Sequence, residues 1–288
     1  QIAFCTPAPR GLVATRHDGI APIAALDSVL VWNSLEHNMN KSEKLADLRH
    51  FLARYGLPAD RPPIPLGDPA ADAVLGGGLR RGAVHEVFAH DWGASGFAAC
   101  LAIMAAGPKP LFWIRPDYEA LEYGALSATG LLELGGDPRN LFLLRASNAA
   151  DALSATADIL ACPHVGVVVL ELCGAPRCLD LVASRRLTLL AEESGVTLLV
   201  LREGAEPEPS AAATRWQVKS LASDPQDDDW GSPRFHARLT RHRLGNLGDF
   251  TMQWDSEHGI FHPAAAHSGL VVSAPADRPV EAPLRQRA

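Results

Sequence analysis

Hydrophobic and polar positions follow two patterns along the middle of the chain. Short apolar runs predict strands at 82–89, 110–115, 141–146, 165–172 and 196–203. Between them, stretches with helical composition or apolar residues three or four positions apart predict helices at 100–106, 117–131, 149–162 and 178–195. The run VGVVVLEL at 165–172 is typical of a central parallel strand covered on both faces. Repeated β-α units of this length predict a doubly wound α/β fold with a mostly parallel twisted sheet.

The pattern changes after the strand that ends at Glu203. Shorter polar and apolar alternations joined by turns predict late antiparallel hairpins that complete the sheet. Trp92, Trp113 and Trp254 lie in or beside strand-like segments and are predicted core residues. Trp216 and Trp230 flank the Asp-rich segment SDPQDDDWG and are candidates for exposed partner anchors.

The two ends of the chain differ from its middle. Residues 1–38 have neither a helical period nor a secretory signal pattern, which favours a disordered leader or upstream sequence, with translation expected to begin at Met39. An N-terminal helix is predicted within 39–58, ended by Gly56 and Pro58. The predicted α/β domain covers 59–262, and the Ala/Pro-rich tail at 263–288 is predicted to be disordered.

Composition narrows the possible functions. The chain is 47% hydrophobic with a net charge of −7, which argues against a surface that binds nucleic acid over its whole area. No apolar stretch reaches the roughly 20 residues of a membrane span, and five scattered cysteines favour reduced thiols in the cytoplasm. No nucleophile–base set or metal-ligand spacing is present, so the sequence predicts no enzyme activity, no cofactor and no metal.

A degenerate phosphate loop is predicted after the first strand. Its residues are Gly93, Ser95, Gly96, Phe97 and Ala98. A working loop continues from its glycines to a lysine that neutralises phosphate and a Ser/Thr that holds Mg²⁺. Phe97 has no charge and Ala98 has no hydroxyl, so a tight turn without a ligand is favoured over weak nucleotide binding and over residual ATPase activity.

Two charged features accompany this loop. Glu171 ends the strand at 165–172, where P-loop ATPases carry a carboxylate, but a solvent-facing or capping role is the simpler interpretation. Near the C-terminal end lies the basic stretch RFHARLTRHRLGN, which contains Arg234, Arg238, Arg241 and Arg243. It is interpreted either as a solvated edge hairpin or as a contact for single-stranded DNA phosphates or an acidic partner.

The glycine run LGGGLRRG at 75–82 precedes a strand instead of following one, so it is interpreted as a turn with Arg80 and Arg81 exposed. The order of motifs resembles the RecA-like family of P-loop ATPases, and within it the ImuA group of bacterial damage-inducible mutagenesis cassettes. The resemblance rests on LGGGLRRGAVHEV, VGVVVLEL and RLTRHRLGNLGDFTMQWD and spans roughly 42–262. It implies a RecA-like P-loop core in which Asp117 lies roughly where these enzymes keep a catalytic glutamate, and no catalytic residue carries over.

The resemblance also implies a function. ImuA-like proteins are accessory proteins of SOS-induced, error-prone translesion DNA synthesis, which implies an ImuB-like inactive polymerase, an error-prone C-family DNA polymerase and RecA as partners. Single-stranded DNA is a further candidate partner, a membrane is not expected, and the implied location is cytoplasmic and nucleoid-associated. The alternatives are a SulA-type inhibitor of cell division, a residual DNA-dependent ATPase and a direct DNA-binding protein.

The predicted N-terminal helix gives a first testable expectation. Its apolar stripe of Leu45, Leu48, Phe51 and Leu52 is a candidate partner-binding surface, because RecA-type proteins pack such a helix on a neighbouring subunit. Introducing Glu at both Leu48 and Leu52 should abolish co-purification with the partner. Unchanged co-purification would contradict the hypothesis.

Overall fold

The structure, a computed structural model, describes residues 61–89, 93–223, 231–243 and 245–264. Its helices are α1 Pro69–Leu75, α2 Gly93–Ala106, α3 Asp117–Tyr123, α4 Ala128–Glu133, α5 Ala149–Leu160 and α6 Leu181–Ser194, with a 3₁₀ turn at Pro138–Asn140. Its strands are β1 Val84–Ala89, β2 Leu111–Pro116, β3 Leu141–Ala146, β4 Val167–Cys173, β5 Thr197–Glu203, β6 Thr214–Leu221, β7 Arg234–His242, β8 Gly248–Asp255 and β9 Ile260–Pro263. The predicted N-terminal helix and leader lie outside the described residues, as does the predicted tail beyond residue 264.

These strands form one mixed sheet in the order β3-β2-β4-β5-β1-β6-β7-β8-β9. Strands β1 to β6 pair in parallel, and β6 to β9 pair antiparallel. The predicted large, mostly parallel sheet with late antiparallel strands is therefore confirmed. Within the described ranges, no helix has the length and apolarity that crossing a bilayer would require.

Helices cover both faces of the parallel strands. β4 and β5 are buried along almost their whole length and pair with each other, as their continuous apolar runs predicted. Helix α2 packs on one face of the sheet, and α5 and α6 pack on the other. Because α2 is built largely from alanine and glycine, it lies close to the strands and is buried on most of its surface.

The glycine run after α1 forms the predicted turn. Gly78 has φ +131°, and a Cβ there would lie 2.1 Å from the carbonyl oxygen of Ile64, so only glycine fits without strain. This approach allows Ile64 and Leu79 to exchange backbone hydrogen bonds of 2.8 Å. Arg80 is exposed as predicted, whereas Arg81 is half-buried and donates to the carbonyl of Ala105.

Two predictions about other parts of the chain, residues 117–131 and Trp216, were wrong. The helix predicted at 117–131 is two short helices, α3 and α4, because Gly124 adopts φ +84° and interrupts the helical path. Trp216 was a candidate exposed anchor, but it is fully buried. It lies in β6, where strand alternation directs it into the core beneath α2, and Trp230 lies outside the described residues.

An aromatic cluster joins α2 to the antiparallel strands. The ring of Phe97 lies 6.0 Å from that of Trp216, 5.5 Å from that of Phe235 and 5.4 Å from that of Phe261. All four side chains are buried. Aromatic pairs at these separations stabilise a core beyond the apolar area that they bury.

We therefore expect Phe97→Ala to lower the free energy of unfolding by about 3–5 kcal/mol, because it leaves a cavity between α2 and three strands. Urea unfolding followed by tryptophan fluorescence measures this change. Leu189→Ala is the control, since Leu189 is 58% exposed on α6, and such surface changes stay within about 0.5 kcal/mol. Equal effects of the two substitutions would contradict the cluster's role.

Candidate functional site

A cavity of about 450 Å³ lies at the carboxyl ends of the parallel strands. This is the edge at which open α/β sheets commonly bind ligands. Strands β2, β4 and β5 each contribute a charged residue where they end, and α2 contributes Ser95 from its first turn. The remaining lining comes from the connection between α3 and α4; together the lining residues are Ser95, Arg115, Gly124, Ala125, Leu126, Ser127, Glu171 and Glu203.

A buried ion pair forms one wall of this cavity. Nη2 of Arg115 lies 3.1 Å from Oε1 of Glu171, and both side chains are almost fully buried. The indole Nε1 of Trp113 donates to Oε2 of Glu171 at 2.5 Å, and Nη1 of Arg115 donates to the carbonyl of Gly124 at 2.9 Å. Nη1 and Nη2 of Arg115 are thus engaged by protein acceptors, whereas its buried Nε has no hydrogen-bond partner among the described residues.

The simpler interpretation of Glu171 as a solvent-facing or capping residue was therefore wrong. Its carboxylate is enclosed because β4 lies in the middle of the sheet, between β2 and β5. Trp113 and Arg115 reach it from the adjacent strand β2, whose register places Trp113 opposite Val169. A buried carboxylate is tolerated when charged and neutral donors satisfy it in this way.

Two further buried carboxylates surround this pair. Glu203 lines the cavity at the end of β5. Glu119, on α3, accepts a hydrogen bond from the backbone N–H of Cys173 at 2.8 Å. Burial raises the pKa of Glu119, and the negative charge of Glu171 adds to this effect. The pKa of Cys173 is raised to about 12, chiefly by burial and then by Glu119 and Glu171.

The predicted phosphate-loop residues are part of a helix. Gly93, Ser95, Gly96, Phe97 and Ala98 all lie in the first turns of α2, so these residues form helix and not the tight turn that the sequence favoured. Phe97 and Ala98 are fully buried in the core and do not line the cavity. Residues 90–92, which connect β1 to α2, lie outside the described residues.

Asp117 does not belong to the cavity. Its half-exposed carboxylate lies 2.6 Å from Nε of Arg145, on the neighbouring edge strand β3. The approximate alignment with a catalytic glutamate therefore finds no support in its position. The sequence analysis missed Arg115 and Glu203. Each lies at or near the end of a buried apolar run. A charged residue at the carboxyl end of a parallel strand is the signal that could have identified them.

The four arginines of the predicted basic hairpin do not form one patch. Arg234 is buried, which excludes it as a surface contact for DNA or a partner. Arg238 is exposed, but its Nε lies 2.9 Å from Asp249, which also pairs with His236. Arg241 donates to the carbonyl of Ser210 at 2.6 Å, and Arg243 is exposed just beyond the end of β7.

The chemistry available at the carboxyl edge follows from these charges. Glu171 and Glu203 line the cavity, and Arg115 is the one cationic side chain among its described lining residues. Because Glu171 already pairs with Arg115, an entering polyphosphate would meet little uncompensated positive charge and an additional carboxylate. Across the described residues, no cluster of three or more His, Cys, Asp or Glu side chains has a metal-binding arrangement.

Comparison with known proteins identifies relatives. No family model matches the chain. It is 32% identical over 243 residues to Protein ImuA from two strains of Caulobacter vibrioides, with 77% of this chain and 93% of each relative covered. The similarity spans nearly the whole relative and is not confined to one motif. This chain therefore belongs to the ImuA family.

Proposed function

We propose that this ImuA-family protein is a non-catalytic accessory protein of SOS-induced, error-prone translesion DNA synthesis. It acts as an adaptor for an ImuB-like inactive polymerase, an error-prone C-family polymerase, RecA or a combination of these. Family membership and the resemblance described above support the damage-response setting. The adaptor role is supported by the structure's charge distribution and by its exposed apolar edge.

The observation that carries the proposal is the charge at the carboxyl ends of the strands. Acidic side chains line the cavity there, where a nucleotide site needs positive charge. In a nucleotide-binding P-loop protein, a lysine and backbone N–H groups stabilise the phosphates. Here Phe97 belongs to the aromatic core, and the cavity presents Glu171 and Glu203 with Arg115. This arrangement favours a fold that has lost nucleotide chemistry over one that hydrolyses ATP.

We also propose that the domain is a RecA-like core with a degenerate phosphate loop. The support is topological: β1 leads into α2 in the order strand, short connection, helix that a P-loop unit requires. The cavity lies at the carboxyl edge beside the first turn of that helix. A nucleotide site would be expected at the same place. Loss of nucleotide binding there explains why Phe97 and Ala98 occupy the positions at which a working loop has a lysine and a Ser/Thr.

The edge strand β3 supports the docking role. Among the described strands it pairs only with β2, so the outer edge of its backbone has no strand partner there. Its sequence is LFLLRA, and Phe142 and Leu143 are 42% and 41% exposed. Natural edge strands are usually protected by charge, proline or short length, whereas an apolar edge is suited to adding a strand from another protein.

Further exposed apolar residues lie in the segment that connects β2 to β3. Leu121 on α3 and Leu132 on α4 are both exposed. Phe142 stacks on Phe112 with ring centroids 4.9 Å apart, so this part of the edge is held in a fixed position. A pre-ordered apolar edge binds with less loss of conformational entropy than a loose one.

The loss of nucleotide chemistry is directly testable. We expect Mg²⁺-ATP to bind no tighter than about 1 mM, or roughly −4 kcal/mol, because the cavity offers no spare cation for the phosphates. Calorimetric titration and a phosphate-release assay, each with and without single-stranded DNA, measure this. Phosphate release by the unaltered protein that is lost in Glu171→Gln would contradict the proposal.

The edge strand gives a second test. Leu143→Lys should weaken binding to a purified ImuB-like partner by about tenfold or more, because it places a charge in an apolar contact worth at least ~1.4 kcal/mol. Surface plasmon resonance measures the affinity. Leu189→Lys is the matched control, since Leu189 is exposed on α6 rather than on the edge strand.

Two results would contradict the edge-strand interpretation. One is equal partner affinity of the Leu143→Lys protein and the unaltered protein. The other is light scattering that shows self-association through this edge, abolished by Leu143→Lys, with partner binding intact.

A further inference from the structure

A second cavity, of about 420 Å³, lies near the amino ends of the parallel strands, opposite the carboxyl-end cavity. The end of α1 and the turn that follows it form one wall, together with residues 61–63. The start of β6, the end of β7 and the residues after β7 form the other wall. This cavity, called the basic cleft below, has four cationic or titratable lining residues, Arg61, Arg80, His242 and Arg243, and its described lining includes no carboxylate.

The guanidinium groups of the basic cleft come from three separate parts of the chain. Arg80 is 45% exposed at its side chain, and its Nη1 lies 3.5 Å from Oε1 of Glu192. Arg61 donates to the backbone carbonyl of Glu192 at 3.1 Å. Arg243 is exposed, and its backbone N–H, which donates to Ala213 at 2.9 Å, fixes its position. Glu192 thus offsets one cation, and the cleft keeps a net positive charge in a chain whose net charge is −7.

A buried histidine contacts two residues that line the basic cleft, Thr214 and Arg80. The two ring nitrogens of His85 lie 2.7 Å from Oγ1 of Thr214 and 2.9 Å from the carbonyl oxygen of Arg80. Burial lowers the pKa of His85 to about 4, so the ring is neutral at physiological pH. These contacts tie β1 to the backbone of Arg80 and to β6, and they fix the cleft before any ligand arrives.

The loop after β7 packs closely against the ring of His242 at Gly245. A Cβ at Gly245 would lie 2.5 Å from Nδ1 of His242. This nitrogen is enclosed and has no hydrogen-bond partner within the part of the chain that the structure describes. The amide of Asn246 follows directly and lines the same cavity, which adds a neutral polar group beside the guanidiniums.

The geometry of the basic cleft indicates a phosphate ligand. Arginines from three separate segments, Arg61, Arg80 and Arg243, line the cavity, and guanidinium groups are well suited to binding phosphate oxygens. The other walls are proline and aliphatic, including Pro62, Pro63, Val74 and Leu75, and the imidazole of His242 is the one aromatic ring among the described lining residues. With no Phe, Tyr or Trp among those residues to form a stacking platform, recognition rests chiefly on the sugar-phosphate backbone.

We propose that the basic cleft binds the phosphodiester backbone of single-stranded nucleic acid without sequence preference. The inference rests on the proposed function, which places the protein at damaged DNA. The sequence predicted a DNA contact along the whole basic stretch that contains the four arginines. The present proposal places the contact at the end of β7, where Arg243 is the only one of those four that takes part. The nucleic-acid strand lies between α1 and the end of β7. The cavity at the carboxyl ends of the parallel strands is not involved.

Fluorescence anisotropy with a labelled single-stranded oligonucleotide tests the proposal on the full chain. Arg243→Ala should weaken binding about three- to tenfold and reduce the salt slope, log K against log[salt], by about 0.7 for the lost phosphate contact. Arg238→Ala is the matched control, because Arg238 is 58% exposed on β7, five residues before Arg243, but is neutralised by Asp249. It should leave affinity and slope unchanged.

Several results would overturn the proposal: no binding by the unaltered protein, unchanged binding in Arg243→Ala, or an equal loss in Arg238→Ala. Competition identifies the source of the phosphate. Inorganic phosphate or a mononucleotide that displaces the oligonucleotide at equal phosphate concentration would show a small-anion site instead. Displacement by polyglutamate at lower charge concentration than by unlabelled oligonucleotide would show a site for an acidic protein.

The test separates this inference from the proposed function. Arg243→Ala leaves the edge strand β3 unaltered, so partner binding measured on the same variant should equal that of the unaltered protein. Loss of DNA binding with partner binding intact supports the basic cleft. Intact DNA binding in Arg243→Ala, with partner binding lost in Leu143→Lys, overturns the cleft while leaving the adaptor role standing.

Discussion

The packing of Phe97 against the antiparallel strands connects the two halves of the sheet. Phe97 lies on α2, the helix that follows β1 and covers the parallel strands, and its ring contacts aromatic rings on β6, β7 and β9. One helix therefore stabilises both halves, and the position that a phosphate-loop protein gives to a cation contributes to the core.

The two edges of the sheet carry opposite charge, and this separation determines which ligands each can accept. At an effective dielectric constant of about 20, two unit charges about 4 Å apart interact by roughly 4 kcal/mol. At the carboxyl edge, Glu171 engages Arg115 and Glu203 adds a further negative charge. At the amino edge, Arg61, Arg80 and Arg243 meet one nearby carboxylate. Each edge thus disfavours the ligands that suit the other.

Local patterns predicted the elements better than they predicted the site. The run 165–172 identified a central strand because a strand covered on both faces is a nearly continuous apolar run, and the strand at 141–146 has the predicted bounds. The helix predicted at 117–131 failed at Gly124, which ends α3 with φ +84°. Glycine permits this conformation without requiring it, so apolar periodicity did not locate the break. Trp216 was misplaced because a nearby acidic segment suggested exposure, whereas alternation within β6 controls where its side chain points.

The candidate sites combine residues that are distant in sequence. Arg115, Glu171 and Glu203 become neighbours only because the strand order places β4 between β2 and β5. The basic cleft likewise requires α1 to pack near the end of β7. The proposed loss of nucleotide chemistry would therefore be distributed over several residues and would not reside in one missing lysine. A lysine at position 97 would enter the aromatic core and would have to bury its ammonium group, while Glu203 would still line the cavity. Under the proposed function, binding takes the place of nucleotide chemistry, and the apolar strand β3 and the basic cleft are the two described surfaces proposed for it.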